Sequence, residues 1–357
     1  MKHIHHLSHI DLDGYGCQLI MKHTPFSCSF YNANYGAEVK EQLDLIVQNI
    51  KKSDNLEHLV LISDLNLSVD EAKWLDKEVQ KLSSKHNVEL LLLDHHGSGE
   101  DCATRFDWYN LDTTKCATKI VYEYAKNNFE LQEPSWMKQF VTIVNAVDLW
   151  KQEEVESFEF GKVFMRLINE ARELNRVMFA KEDNAYKLFI LTKGITYIDQ
   201  KGGNIALDDA IHSIKKSFFK KEFNNTLDNL STSYIVDLLG NYKESMTIYY
   251  KGYKGFLSYG VGNTSIVGNG FLTKYPEYDF IVDVSYRGTM SLRADNKVSV
   301  AQISKEWAGG GGHPNAAGGR IQGFKEAYRY DKVKQQIESI IHHKESVAGK
   351  LEYKKED

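Results

Sequence analysis

The stretch that decides the fold is 90–99, which reads LLLLDHHGSG. Four consecutive leucines end at Asp94, two histidines follow, and a glycine-containing loop begins. An apolar run of this length between polar residues is typical of a buried strand in a parallel sheet. Ligands of such sheets bind beyond the carboxyl ends of the strands. The run therefore predicts Asp94, His95 and His96 at a ligand-binding edge, although a lone pair of histidines more often marks an exposed loop.

Further apolar runs alternate with helical patterns before and after this stretch. Strands are expected at 3–10, 26–31, 59–63 and 88–93, and helices at 15–22, 39–50 and 68–84. Ser68 and Glu71 have the spacing of a capping box at the start of the last helix. The alternation predicts βαβ units, and hence a parallel sheet with helices on both faces.

The later part of the chain changes in character. Helical patterns fill 114–128, 135–147 and 155–223, the polar segment 224–233 is expected to be a connection, and strand-like and helical segments then interleave. The predicted fold class is α/β, with a parallel-sheet domain at 1–230 that includes the helical segment 155–223. A smaller α/β domain is expected at 235–345 and a solvated tail at 346–357. We expect a cleft between the two domains.

Composition narrows the class of protein. The 357 residues are 42% hydrophobic and 26% charged, and the net charge of −5 gives no basic field for long nucleic acid. The basic run 215–221 (KKSFFKK) is better explained as an amphipathic helix. Four cysteines without a Cys-x-x-Cys pair, a polar amino terminus and no long apolar run predict a reduced, cytoplasmic protein without membrane contact.

Polar residues at the predicted element ends point to metal chemistry. They are His9, Asp11, Asp13, Asp64, Asp94, His95, His96 and Asp148. If His9, Asp11 and Asp13 continue the first strand, they share one face. Converging carboxylates repel each other unless cations lie between them, and carboxylates with imidazoles suit manganese, iron or zinc. Each aspartate alone is more often a helix cap, but the set predicts a two-metal centre that hydrolyses phosphate esters.

These motifs carry a family resemblance. His9-x-Asp11-x-Asp13-Gly14, Asp64, Asp94-His95-His96 and Asp148 resemble, in order, the four motifs of the DHH phosphoesterase superfamily. The segment 310–318 (GGGHPNAAG) resembles the glycine-rich signature of that family's associated substrate-binding domain, and Ser291-Leu292-Arg293 fits the same domain. Together the motifs span most of the chain.

The resemblance implies a role for each site residue. His9 and Asp11 would bind one divalent metal, Asp13, His95 and Asp148 a second, and Asp64 both; manganese is the expected ion. His96 would contact phosphate and assist the leaving group, while Asp94 would orient a histidine rather than bind metal. The first motif begins with His9, where RecJ-type exonucleases often have aspartate, which places the chain nearer the small-substrate branches.

The glycine-rich segment also has a physical interpretation of its own. Gly310, Gly311 and Gly312 would let the backbone approach an anion closely, with His313 as a further donor, although a flexible hinge would also use glycines. By resemblance, Arg293 would hold a phosphate or the terminal nucleotide by a bidentate contact.

The pattern is most similar to oligoribonucleases of the nanoRNase B type. It predicts a metal-dependent phosphodiesterase or exonuclease whose partner is short single-stranded RNA rather than a long duplex. The pattern does not determine the oligomeric state, for which a homodimer is one alternative. The alternative is a small nucleotide, such as 3′-phosphoadenosine 5′-phosphate or a linear dinucleotide. An inorganic pyrophosphatase shares the first four motifs but lacks the GGGH signature. A non-catalytic scaffold would be expected to lack metal ligands, and each is present here.

Overall fold

The computed structural model describes residues 2–221 and 224–353. The chain forms two compact units. The first comprises the residues up to Arg172 together with Ala180–Phe218, and the second comprises Glu173–Phe179 and the residues from Phe219 onward. In the sequence, the short segment Glu173–Phe179 lies between two parts of the first unit, but it packs within the second unit. There the Asn175 side chain donates a hydrogen bond to the Gly260 carbonyl at 2.8 Å.

The first unit is built on a parallel sheet of five strands. Their bounds are β1 (His3–Ser8), β2 (Ser27–Asn32), β3 (Glu57–Ser63), β4 (Asn87–Asp94) and β5 (Tyr109–Leu111). The strand order is β2-β1-β3-β4-β5, and all four pairings are parallel. The helices are α1 (Leu12–Met21), α2 (Ala37–Lys51), α3 (Val69–Leu82), α4 (Glu100–Ala103), α5 (Ala117–Asn128), α6 (Met137–Asp148), α7 (Val155–Asn169), α8 (Ala180–Ile195) and α9 (Gly203–Phe219).

Helices cover both faces of this sheet, as the unbroken apolar strands predict. On one face, Val60 and Ile62 of β3 belong to a core that also contains residues of α2 and α3. On the other face, Leu59 and Leu61 of the same strand join a core formed with α1, α5 and α6. Most buried positions of the sheet are apolar, but β1 also buries two histidines, and His6 Nε2 lies 2.8 Å from Ser63 Oγ.

The second unit contains a mixed sheet of six strands. Its elements are α10 (Leu227–Asn241), α11 (Lys243–Met246), β6 (Thr247–Tyr250), β7 (Tyr253–Tyr259), α12 (Thr264–Lys274), β8 (Phe280–Val284), β9 (Thr289–Ala294), α13 (Val300–Ala308), β10 (Gly311–His313), β11 (Ala316–Arg320) and α14 (Tyr330–Tyr353). The order is β10-β11-β9-β8-β7-β6, with β7 and β8 parallel and the other pairs antiparallel. The predicted α/β class is confirmed for both units.

Several local predictions need correction. The first helix begins at Leu12, three residues earlier than predicted, and β5 was missed because three residues carry too little pattern. The polar segment expected to be a connection is helical from Leu227, where the Thr226 hydroxyl caps α10. Helix α14 continues to Tyr353, so the expected tail is helical up to that residue. The rest of the tail, 354–357, lies outside the described residues.

One finding bears on membranes. Within the described part of the chain, no helix is long and apolar enough to span a bilayer.

Candidate metal centre

The candidate site lies at the carboxyl edge of the five-stranded sheet. His9 and Asp11 follow β1, Asp64 follows β3, and His95 follows β4, while Asp148 is the last residue of α6. Their ligand atoms form three groups, each within 4.8 Å: His9 with Asp11 and Asp64, Asp13 with His95 and Asp148, and Asp64 with His95 and His96. The structure therefore brings together residues from four places in the sequence. Asp64 belongs to two of the three groups.

The turn from β1 into α1 sets the first residues of the site. The expectation that His9, Asp11 and Asp13 share one face of a strand is wrong, because β1 ends at Ser8 and a helix begins at Leu12. Asp11 is instead the N-cap of α1, and its carboxylate accepts a hydrogen bond from the Gly14 amide at 3.0 Å. The turn is tight: a Cβ on Gly14 would lie 2.3 Å from the His9 carbonyl oxygen. Only glycine fits there.

Asp13 is held by a second helix end. It lies in the first turn of α1 and is 2% exposed. Its two carboxylate oxygens accept hydrogen bonds from the backbone amides of Ala117 and Thr118, both at 2.7 Å, at the start of α5. Helix caps and metal ligands were posed as alternatives from the sequence. Asp11 and Asp13 act as caps, and the caps hold their carboxylates within the cluster.

Asp64 and His95 form the centre of the site. Asp64 is 2% exposed and adopts a left-handed conformation with φ 56°, which aspartate tolerates better than most residues. The Nε2 atom of His95 lies 3.3 Å from Asp64 Oδ1, and the Nδ1 atom of His9 lies 3.7 Å from Asp64 Oδ2. Both His95 Nε2 and Asp64 Oδ2 are buried, and within the described residues neither makes a hydrogen bond.

The buried carboxylates of the cluster repel one another, and a cation bound among them would relieve that repulsion. Burial and the neighbouring carboxylates raise the pKa of Asp64 well above its ordinary value, and the same causes raise that of Asp148 to about 8. Asp11 differs: burial opposes the shift, but the hydrogen bond and charge of His9 lower its pKa to about 2. Burial lowers the pKa of His95, which favours the neutral imidazole that binds metals.

The donor set fits divalent metal ions. The carboxylate–imidazole cluster, defined here as His9, Asp11, Asp13, Asp64, His95 and Asp148, combines oxygen and nitrogen donors of the kind that manganese, iron and zinc bind. Two buried ligand atoms in it lack a hydrogen bond among the described residues, and two carboxyl pKa values are raised. A buried group of this kind is costly unless it is paired or binds a metal. The cluster can therefore hold metal.

A hydrogen-bonded chain runs beside this cluster. Asp94 is fully buried; one carboxylate oxygen lies 2.7 Å from Nδ1 of His96, and the other accepts a hydrogen bond from the Tyr109 hydroxyl at 2.7 Å. On the far side of the imidazole, Nε2 of His96 lies 2.9 Å from the Tyr35 hydroxyl. The bond with Asp94 raises the pKa of His96. Both nitrogens of His96 are thus occupied.

Sequence reasoning missed both tyrosines of this chain. Tyr109 begins β5, and Gly99 makes room for its hydroxyl, since a Cβ on Gly99 would lie 1.8 Å from it. Tyr35 lies in the loop after β2, at the same edge of the sheet, and its ring centroid is 4.8 Å from that of His9. The one usable signal was position: the β2 loop, like the other strand ends, opens onto the ligand-binding edge.

The predicted substrate residues lie together in the second unit. Arg293 on β9 pairs with Ala316 on β11, which pairs with His313 on β10, so these residues are in register across three strands. The guanidinium of Arg293 donates to Ser265 Oγ at 2.6 Å and to the Leu292 carbonyl at 2.7 Å. His313 is exposed.

The glycines of this motif form a hairpin rather than an open loop. A Cβ on Gly310 would lie 2.3 Å from the Gly318 carbonyl oxygen, and one on Gly312 would lie 2.5 Å from the Ala316 carbonyl oxygen. Gly311 differs, because its Cβ would meet nothing within 4 Å. Two of the three predicted glycines are therefore required by packing. The flexible hinge that the sequence left as an alternative is not present, because the segment pairs as β10 and β11.

Comparison with known proteins agrees with these features. The chain is 43% identical over 347 residues to a 3′,5′-cyclic-nucleotide phosphodiesterase of Helicobacter pylori, covering 96% of this chain and 99% of the relative. It is 23% identical over 367 residues to the oligoribonuclease NrnB of Bacillus subtilis, covering 97% and 82%. A crystal structure of an uncharacterized protein from Helicobacter pylori G27 matches with TM-score 0.90 and 42% identity, covering 96% of this chain and 100% of that one. No protein-family model matches the sequence. With the strand-end motifs, these relatives establish that the chain belongs to the DHH family of phosphoesterases and is a hydrolase acting on phosphate ester bonds.

Proposed function

We propose that the chain is a divalent-metal-dependent phosphodiesterase that hydrolyses short oligoribonucleotides to mononucleotides. The observation that carries this proposal is the position of Asp64: it groups with His9 and Asp11 and also with His95, which itself groups with Asp13 and Asp148. One carboxylate within reach of two groups is the arrangement that a pair of catalytic metals uses. The relationship to an oligoribonuclease supports the choice of substrate.

The ligands divide into two sets in this proposal. His9 and Asp11 would hold one ion, Asp13, His95 and Asp148 would hold the other, and Asp64 would serve both, with manganese as the expected metal. When bound, such ions lower the pKa of a water molecule and neutralise charge on the phosphate. The caps on Asp11 and Asp13 fix those carboxylates before any ion arrives, so little reorganisation accompanies binding.

His96 serves the substrate rather than the metals. Although its nitrogens lie within reach of Asp64 and His95, Asp94 and the Tyr35 hydroxyl occupy them. Asp94 accepts from Nδ1, which leaves Nε2 directed away from the buried carboxylate. In this role Asp94 orients the imidazole, and the imidazole favours departure of the leaving oxygen.

The second unit grips the substrate end in this proposal. Arg293 contacts a phosphate and His313 adds a donor on the same face of the sheet, since paired residues of neighbouring strands project to one side. Gly311, whose Cβ side is open, lets the substrate approach the backbone. The guanidinium would exchange its bond to Ser265 for the phosphate.

A second candidate substrate has its own support. The relative with 43% identity over nearly the whole chain is named for 3′,5′-cyclic nucleotides. A cyclic mononucleotide contains the same type of phosphodiester bond as an oligoribonucleotide but has no second nucleotide for the second unit to hold. The two substrates therefore make different demands on Arg293.

A substrate panel tests these proposals. Purified chain is assayed with Mn²⁺ on labelled di- to decaribonucleotides, a 3′,5′-cyclic nucleotide, 3′-phosphoadenosine 5′-phosphate and pyrophosphate. We expect the short oligoribonucleotides to give the highest kcat/KM and chelation to abolish hydrolysis. Preference for the cyclic nucleotide would establish the second candidate, and unchanged turnover in chelator with no bound metal would reject the metal-dependent mechanism.

A further inference from the structure

Helix α6 ends in a tight backbone turn just beyond Asp148. The amide of Lys151 donates to the Ala146 carbonyl at 2.8 Å, and the amide of Trp150 donates to the Val147 carbonyl at 3.3 Å. These two hydrogen bonds are the pair that closes a Schellman turn, in which the residue at the position of Trp150 adopts a left-handed conformation. Trp150 does so, with φ 55°.

Tryptophan is an unfavourable residue for this position. Glycine occupies it most often, because a Cβ in the left-handed conformation lies too close to backbone. Among the residues that the structure describes, Trp150 is the one aromatic with positive φ. Strained backbone of this kind concentrates at ligand-binding sites. The turn alone would form more easily with glycine, so the indole needs another explanation.

Packing accounts for only part of the indole. It contacts Phe158 of α7 edge to face, with 5.0 Å between the ring centroids and 88° between the ring planes. Phe158 is buried, but Trp150 remains 60% exposed. Most of a large aromatic surface therefore faces solvent.

The indole is also close to the metal centre in sequence and in space. Trp150 follows Asp148 by two residues, so their Cα atoms are at most about 7.6 Å apart. The Asp148 carboxylate lies 3.6 Å from Nε2 of His95. A nucleotide carries its base one sugar away from its phosphate. A substrate phosphate at the carboxylate–imidazole cluster thus brings a base into the neighbourhood of Trp150.

We propose that Trp150 is a base-stacking residue: its indole binds the nucleobase next to the phosphate that is hydrolysed. Every base has a face that can stack on an aromatic ring, so this contact holds nucleotides of any sequence. Short oligoribonucleotides and 3′,5′-cyclic nucleotides both carry such a base. The inference rests on the proposed phosphodiesterase function and adds to it a contact with the base.

The test compares substrates with and without the base. Wild type and Trp150→Ala, both with Mn²⁺, are assayed on a diribonucleotide and on its two analogues that each lack one base. If the substrate panel favours the cyclic nucleotide, that nucleotide and its base-free counterpart are used. We expect Trp150→Ala to raise KM for the complete substrate by about 5- to 150-fold, the range typical of one stacked base. On the analogue without the stacked base, wild type and variant should have the same KM.

Further variants isolate the indole. Trp150→Phe keeps an aromatic face and should restore most of the affinity. Trp150→Gly should raise KM as Trp150→Ala does without lowering the melting temperature, because glycine relieves the left-handed strain. The control is Tyr249→Ala on β6, where the aromatic side chain is 63% exposed, and it should leave KM unchanged. An independent readout is tryptophan fluorescence, which a nucleoside 5′-monophosphate should quench in wild type and much less in Trp150→Gly.

Each contrary result overturns the assignment. An unchanged KM in Trp150→Ala would show that no base stacks on the indole. An equal rise in KM on complete and base-free substrates would mean that the residue acts on Asp148 through the turn. A lower melting temperature in Trp150→Gly, with a changed oligomeric state on gel filtration, would mean that the indole packs against a second copy of the chain. If the wild type hydrolyses no diester, the proposed function fails by itself, and the fluorescence measurement still decides whether a nucleotide binds at Trp150.

Discussion

The carboxylate–imidazole cluster of the first unit and the glycine-rich hairpin of the second, defined as Gly309–Arg320, treat their polar groups in opposite ways. In the cluster, Asp64 Oδ2 and His95 Nε2 are buried without a hydrogen bond in the described chain, and two carboxyl pKa values are raised. Around the hairpin the polar groups form hydrogen bonds with one another. Ser304 Oγ donates to the Gly318 carbonyl at 2.7 Å, and the Arg293 guanidinium donates to Ser265 Oγ.

This difference shows that a short sequence motif can exist for two reasons, either to bind a ligand or to allow the chain to fold. A group of buried, mutually repelling carboxylates is unfavourable for the fold alone, so it indicates a site that binds a cation. A run of glycines in a tight hairpin is favourable for the fold by itself, because side chains there would collide with backbone. The first region therefore indicates a ligand more strongly than the second does. Substitutions that separate stability from activity test this contrast.

The largest effect is expected from Asp64→Asn. It should lower phosphodiesterase turnover by about 10³-fold or more, since it removes charge from the carboxylate assigned to both metals. The same change should raise the melting temperature of metal-free protein, because a buried carboxylate repelled by its neighbours is neutralised. Kinetics and metal-free thermal denaturation measure the two effects.

The control for Asp64→Asn is Asp44→Asn, the same change at a surface carboxylate 3.0 Å from Lys40. It should alter neither quantity appreciably. A fall in the metal-free melting temperature of Asp64→Asn would mean that the carboxylate stabilises the fold, and the contrast between the two regions would disappear.

The next effect concerns the hairpin. Gly312 has φ 146°, and a Cβ there would lie 2.5 Å from the Ala316 carbonyl oxygen, so Gly312→Ala should cost about 1–3 kcal/mol of stability. Gly311→Ala is the matched control, with nothing within 4 Å, and should change stability by less than about 0.5 kcal/mol. Denaturant unfolding measures both. We also expect Gly311→Ala to raise KM for oligoribonucleotides; an unchanged KM would remove the backbone approach from the proposal.

The contrast explains how much of the fold the sequence could predict. Strands β3 and β4 of the first unit are largely apolar because both faces of the sheet are covered, and that pattern is visible without a structure. The capping box at Ser68 and Glu71 is present as predicted. The hairpin was not predicted, because strands β10 and β11 consist largely of glycine and alanine, which carry no alternation of apolar and polar residues.

The site shows the same limit at the level of single residues. Residue types at strand ends predicted which side chains could converge, but not the backbone between them: a continuation of the first strand through Asp13 was considered, and Asp13 lies in a helix. The tyrosines were missed for a different reason. Tyr35 and Tyr109 reach the site through contacts with His96 and Asp94, and apart from the place of Tyr35 in a strand-end loop nothing in the sequence distinguishes them from the other tyrosines.

A third prediction follows from the pKa of Asp148. In the folded metal-free protein this pKa is raised to about 8 from 3.8. A raised carboxyl pKa stabilises the fold below the unfolded value, and this contribution is lost as the pH rises through the folded value. The difference in melting temperature between Asp148→Asn and wild type should therefore grow from about pH 4 to pH 8 and then level off. Asp44→Asn should show no such trend.

Metal should remove this dependence. With saturating Mn²⁺ the carboxylate of Asp148 is ionised in the folded protein across the range, so the growth of the difference with pH should disappear or reverse. A growing difference that persists unchanged in Mn²⁺ would show that Asp148 stays out of the metal site, and the division of ligands would need revision.

The smallest effect is expected from Ser265→Ala, and it distinguishes a substrate-gripping arginine from a structural one. Arg293→Ala should lower kcat/KM on oligoribonucleotides by about 10- to 150-fold, the loss of one charge-assisted phosphate contact. Ser265→Ala removes only the partner that the guanidinium leaves when phosphate binds, so KM should change by less than about threefold and tend downward. If Arg293 instead anchors α12 to β9, Ser265→Ala and Arg293→Ala should both lower the melting temperature, and their effects on KM should be in the same direction.

Steady-state kinetics on a pentaribonucleotide and a 3′,5′-cyclic nucleotide, with thermal denaturation of the same preparations, separate the two cases. Because the cyclic nucleotide has no second nucleotide for Arg293 to hold, its kcat/KM should be nearly unchanged by Arg293→Ala.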